Sequence, residues 1–181
     1  ETLGQDTFGD AAALQWSSEP SPPLLSMGET GRPVNIWQWK AAWELDLAGA
    51  RDIAARYPNT LADMYGQPDG PSEGLYLTGT AAGNPLSVRA RKTAGEALSA
   101  EGFGTLTVLK GEAGALAVRS KWTDGFWDVV FVRPLRACCP GELPLEPGAT
   151  VHVASAVWDG TALDRNGQKS VTVWHQLVLE K

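Results

Sequence analysis

The sequence predicts a mainly β chain, an antiparallel β-sandwich with a few short helices and a long central loop region. Three observations carry that reading. Runs rich in β-branched and aromatic residues recur along the chain, several alternating between two faces. Turn formers are abundant, with 20 Gly and 12 Pro in 181 residues, which argues against a long helical bundle. Asp159-Gly160 and Asn166-Gly167 are turn dipeptides placed between strand-like runs.

The elements follow in order. From Pro33 to Lys40, Val34, Ile36 and Gln38 share one face of a strand and Asn35, Trp37 and Trp39 the other. Residues 43–56 have helix-forming composition, and residues 94–100 read as a second, short helix. Between them, residues 57–83 are rich in Gly, Pro and Asp and read as a long loop, a kind that is usually functional or partner-facing. Thr105 to Leu109 reads as a strand after Gly102-Phe103-Gly104. Trp127 to Arg133 is a β-branched and aromatic run stopped by Pro134. Thr150 to Trp158 sets Val151, Val153, Ser155 and Val157 against His152, Ala154, Ala156 and Trp158. Ser170 to Leu179 closes the chain as one strand with Val171, Val173, His175, Leu177 and Leu179 in register.

Composition bounds the function. A chain of 181 residues is expected to form a single domain with its own core. The net charge is −6 with no basic tract, which argues against nucleic acid as a partner. No apolar run reaches the roughly 18 residues of a membrane span. The first residue is Glu1 and no leader is visible, so a mature exported chain or an excised piece is expected. The eight tryptophans each need an apolar site and a partner for the indole N–H.

Catalytic patterns are weak. G-x-S-x-G, H-E-x-x-H and the phosphate loop are missing, and His152 and His175 both fall in strands, where a histidine is usually structural. Cys138 and Cys139 are adjacent, without zinc or c-type haem spacing. Their simplest reading is two small side chains near a turn, because an eight-membered disulfide ring strains the peptide.

Several segments resemble a known family. Phe8-Gly9-Asp10-Ala11-Ala12-Ala13-Leu14-Gln15 is similar to F-x-D-A-V-A-x-Q. Ser26-Met27-Gly28-Glu29, followed by Arg32-Pro33-Val34-Asn35-Ile36-Trp37-Gln38-Trp39-Lys40-Ala41, resembles M-G-x-x-x-x-P-V-N-I-W-x-W-K-A. Gly83-Asn84-Pro85, the run from Ala100 to Thr107, Asp124 to Leu135, Ala156 to Gly160, and Arg165 to Trp174 continue the likeness in order. Together these segments resemble the haem b-binding γ subunits of the type II dimethyl sulfoxide reductase group, which includes ethylbenzene dehydrogenase, dimethylsulfide dehydrogenase and chlorate reductase.

The resemblance implies a β-sandwich holding one non-covalent haem b between a methionine and a lysine. By motif these are Met27 and Lys169. A thioether suits ferrous iron, and a lysine ligates only as the neutral amine. Two strong axial ligands imply electron transfer rather than catalysis, in partnership with iron–sulfur and molybdenum subunits or a soluble cytochrome, in the periplasm or otherwise outside the cytoplasm. Met64 and His175 are the rival ligands. Trp37, Phe103 and Trp174 are the aromatics assigned to the haem walls. Family members carry further sequence ahead of the Phe8 segment, so early strands of the sandwich are expected to be missing. The competing reading is a haem-free β-sandwich module that recognises a carbohydrate or a protein.

Overall fold

The computed structural model describes residues 8–24, 26–47, 59, 91–109 and 116–181. It divides into two compact units, Glu1–Glu44 with Thr93–Lys181, and Leu45–Lys92. Among the described residues the chain is mainly β and antiparallel, as expected. The strands are β1 (Ala11–Ser17), β2 (Val34–Lys40), β3 (Gly95–Ala100), β4 (Thr107–Val108), β5 (Ala117–Thr123), β6 (Phe126–Val132), β7 (Thr150–Trp158), β8 (Ser170–Val171) and β9 (His175–Val178). One short helix, α1 (Ala41–Leu47), follows β2. No described helix is long and apolar enough to cross a membrane.

The large sheet runs β4-β3-β2-β1-β7-β8, and β9 also pairs with β7. The hairpin β5–β6 forms a separate two-stranded sheet. Alternation along each strand gives the large sheet two different faces. Trp16, Trp37 and Val151 form one face with Leu116 and Leu145, and Val118 and Phe131 of the hairpin pack there. The Trp16 and Trp37 rings lie 4.5 Å apart. Trp39 extends this face, 4.8 Å from Trp127 of β6. The opposite face carries Ala13, Val34, Ile36, Leu98 and Ala100, with Met27, Ala156, Trp158 and Trp174 against them. The two-faced reading of β2 and of β7 therefore agrees with the structure.

Indole partners lock several tryptophans. Trp39 Nε1 donates to Glu44 Oε1 at 2.9 Å, Trp127 Nε1 to Asp10 Oδ2 at 3.1 Å, and Trp174 Nε1 to the carbonyl of Pro23 at 2.7 Å. Trp16 Nε1 is buried without a partner among the described residues.

Two expectations need correction. Residues 95–100 form strand β3, not a helix, because pairing with β2 from Val34↔Ala100 to Trp39↔Gly95 overrides the helix-forming Glu-Ala-Leu composition. Residues 11–17, assigned no element above, form β1, held in the strand state by ladders on both sides, to β2 and to β7. The terminal run is not one strand. Between Val171↔Ala156 and Val153↔His175 the C-terminal segment takes four steps against three on β7. The extra residue is a bulge, and Thr172 fills it: its N–H donates to the Ser155 carbonyl and its Oγ1 accepts the Ser155 N–H, each at 2.9 Å. The bulge moves Val171 and His175 to opposite faces. Of the expected helix at residues 43–56, Trp43 to Leu47 lies in α1 and residues 48–56 lie outside the described residues. Of the loop at 57–83, only Asn59 is described.

Gly28 occupies a site no other residue fits comfortably. Its φ is +77°, and a Cβ there would sit 2.6 Å from the carbonyl oxygen of Ala100. Gly28→Ala is expected to cost about 1–3 kcal/mol through strain and overpacking, read as a lower urea midpoint with unchanged slope.

Candidate functional site

The face away from the hairpin is paved with small side chains. Ala11 and Ala13 of β1 stand beside Trp158 and Ala156 of β7, and Gln15 stands beside Ala154. Alanines on two central strands keep the floor low, so the surrounding larger groups become walls. Two recesses result. One is about 500 Å³ and the other about 40 Å³, and both are lined by Met27, Ile36, Trp158 and Lys169. The larger lies within the roughly 300–1,000 Å³ typical of small-molecule and cofactor sites. Phe103 and Leu106, both exposed, complete its rim.

Met27 is held in an unusual backbone conformation, with φ +78°. An L residue adopts this left-handed region at a cost of about 1–3 kcal/mol and persists there only when its surroundings enforce it. Here both sides of the residue are clamped. Its N–H donates to Gln15 Oε1 at 2.8 Å, and its carbonyl accepts the N–H of Gly102 at 2.8 Å. The segment ahead of it is anchored by the bond from Trp174 Nε1 to Pro23. The thioether thus projects from a fixed loop between β1 and the β3–β4 turn.

Lys169 approaches from the other side, after the Asn166-Gly167 turn. Asn166 sits at φ +52°, and its carbonyl accepts Trp158 Nε1 at 3.1 Å. Burial pushes the Lys169 amine below its ordinary value, which favours the neutral form. Its Nζ lies 5.0 Å from the centre of the Trp158 ring, and it has no carboxylate partner among the described residues. A half-buried amine with no carboxylate partner among the described residues gives up its proton more readily than a surface lysine.

The other sequence-expected residues separate. Phe103 lines the larger recess with Met27 and Lys169. Trp174 braces the methionine loop from behind through Pro23. Trp37 is on the opposite face, buried between Trp16 and Phe131, and walls no part of this cleft. The bulge carries His175, the rival ligand, to that same opposite face. Met64 lies outside the described residues.

Sequence reasoning missed Gln15. It is 7% exposed, lines the smaller recess, and uses Oε1 on Met27 while Nε2 has no partner among the described residues. A lone amide in an Ala-Ala-Ala-Leu-Gln-Trp strand was the available signal. Gln15→Leu keeps the volume and deletes the acceptor. It is expected to cost about 1–3 kcal/mol in chemical denaturation, since the Met27 N–H is left unpaired.

This arrangement defines a class: a mainly β domain that presents an apolar, alanine-floored cleft with a soft thioether and a desolvated amine on its walls. Comparison with known proteins makes this more specific. The chain belongs to the ethylbenzene dehydrogenase family, whose model matches residues 1–170. A protein of Haloferax mediterranei named for a respiratory nitrate reductase heme subunit, ORF7, is 29% identical over 173 residues, covering 95% of this chain and 44% of that protein. The chlorate reductase subunit gamma of Ideonella dechloratans is 40% identical over 81 residues, covering 44% of this chain and 33% of that protein. The chain therefore spans less than half the length of either relative.

Proposed function

We propose that this chain binds one non-covalent haem b in the cleft, where Met27 and Lys169 would hold its iron, and serves as an electron-transfer part of an oxidoreductase. The observation that carries the reading is the shared cleft: a thioether on a clamped, left-handed residue and a desolvated amine line the same recess. The cleft chemistry fits the group. Haem is largely apolar, and the alanine floor with Ile36, Leu98 and Phe103 offers an apolar bed. A bound haem would supply one-electron transfer, and Met27 and Lys169 are the residues that would hold it. The protein's task is to keep the ligands in place, exclude water from the floor and favour the neutral amine.

The names of the two relatives support the reading: one names a heme subunit and both name a reductase. On this proposal the partners are iron–sulfur and molybdenum subunits or a soluble cytochrome, the chain is not the catalytic unit, and it works in the periplasm or otherwise outside the cytoplasm. A haem-free sugar-binding module would present a flat aromatic platform. Trp122 is the one exposed tryptophan, and it is tilted 58° against Trp127.

The test is titration of the purified chain with haemin. Saturation at one equivalent, a b-type spectrum after dithionite, and complete extraction of the haem by acidified acetone are expected. Absence of binding, or only weak uptake without a saturation point, contradicts the proposal.

A further inference from the structure

The loop from β6 to β7 carries the two cysteines, outside the cleft and unused by it. It is held rigidly. Asn35 of β2 donates through Nδ2 to the carbonyl of Gly141 at 2.8 Å and accepts the N–H of Leu143. Glu142 N donates to the Cys139 carbonyl at 3.1 Å, and Cys138 N donates to Glu142 Oε2 at 2.5 Å. Within this frame the Cys138 thiol donates to Cys139 Sγ, the sulfurs being 3.0 Å apart. Both residues are half-buried.

We propose that Cys138 and Cys139 are a redox-active vicinal dithiol that closes reversibly to an intramolecular disulfide. The sulfurs are already nearer than ordinary non-bonded contact and need about 1 Å of approach to reach bonding distance. Adjacent cysteines close an eight-membered ring whose strain makes the bond easy to reduce, so the product is a labile switch rather than a staple.

The two sulfurs have different parts. The hydrogen bond to Cys139, burial and the Glu142 carboxylate push the Cys138 thiol up to about 12. In the S–H···S contact Cys138 is the donor, which leaves Cys139 as the attacking sulfur. With a low-molecular-weight disulfide as oxidant, the Cys139 thiolate attacks one of its sulfurs, breaking that S–S bond and releasing one thiolate. Cys138 then gives its proton to solvent and attacks Cys139 Sγ, releasing the second thiolate. Two protein thiols are oxidised, and one external disulfide is reduced to two thiols.

Glu142 completes a possible three-ligand cluster with the sulfurs. Its oxygens are already engaged, Oε1 by Arg133 and Oε2 by Cys138 N, so a metal would find two sulfurs only.

The test uses the full chain, reduced, desalted and incubated with oxidised glutathione. Both thiols are expected to disappear, with a mass lower by two hydrogens, no retained glutathione and recovery on adding dithiothreitol. Cys138→Ser is expected to stop at a stable glutathione adduct on Cys139. Wild-type protein that stays reduced, keeps a glutathione adduct or cross-links between chains overturns the proposal. So does a pair that chelates cadmium but never oxidises.

Discussion

Haem-loaded protein carrying Lys169→Ala is expected to lose its six-coordinate low-spin spectrum and become high-spin, as is Met27→Ala. Haem affinity should fall by about 100-fold or more, because even groups one step removed from a metal typically cost ~10–100-fold. Lys121→Ala, an exposed change on the hairpin, should leave the spectrum unchanged. Lys169→Arg should behave as the alanine variant does, because a guanidinium does not deprotonate in proteins. Ligation by the amine also releases a proton, so acidification should convert the wild type towards the high-spin form.

The same lysine sets a pH dependence in the haem-free chain. Burial lowers its folded-state pKa from an ordinary 10.5, so in the window just below that value the unfolded chain binds more protons. Stability should therefore rise with pH through that window. Lys169→Met should abolish the rise, as measured by unfolding at a series of alkaline pH values.

The second large effect concerns Arg133 and Glu142, whose side chains are 3% and 1% exposed and meet at 2.5 Å. Arg133 Nη2 also donates to the carbonyl of Leu143 at 2.5 Å, tying the loop to the end of β6. Glu142→Ala should destabilise the fold by about 3–5 kcal/mol, because it strands a buried guanidinium. The double change Arg133→Met with Glu142→Leu should recover most of that loss, since an apolar pair of similar volume avoids desolvating two charges. Burial alone would raise the Glu142 carboxyl, but the Cys138 N–H and Arg133 outweigh it and hold it below its ordinary 4.5. Its contribution is thus complete above that value and lost as pH falls towards the folded pKa. Acid unfolding of wild type and Glu142→Gln checks that sign.

Which parts of the fold were legible follows from the kind of signal each carries. β7 was readable because Val151, Val153, Ser155 and Val157 alternate with His152, Ala154, Ala156 and Trp158. β1 and β3 were not, because Ala, Glu and Leu favour helix locally and only pairing across the sheet makes them strands. The bulge at Thr172 was invisible, since a register count requires the partner strand. The candidate site was legible only through resemblance. Residue chemistry alone reads Lys169 as a turn lysine and Met27 as a gap-filling side chain. Their common cleft arises from two loops that meet across the β1 and β7 alanines, and no local pattern encodes that meeting. Gln15 escaped for the same reason: its partner is the backbone of residue 27.

On the proposed function Met27 and Lys169 hold one iron in this cleft, and iron K-edge X-ray absorption of the haem-loaded chain reads that iron's neighbours. One sulfur scatterer in the first shell, nitrogen at every other position, and loss of the sulfur in Met27→Ala are expected. A shell of nitrogen alone, or a sulfur signal that survives Met27→Ala, would contradict it.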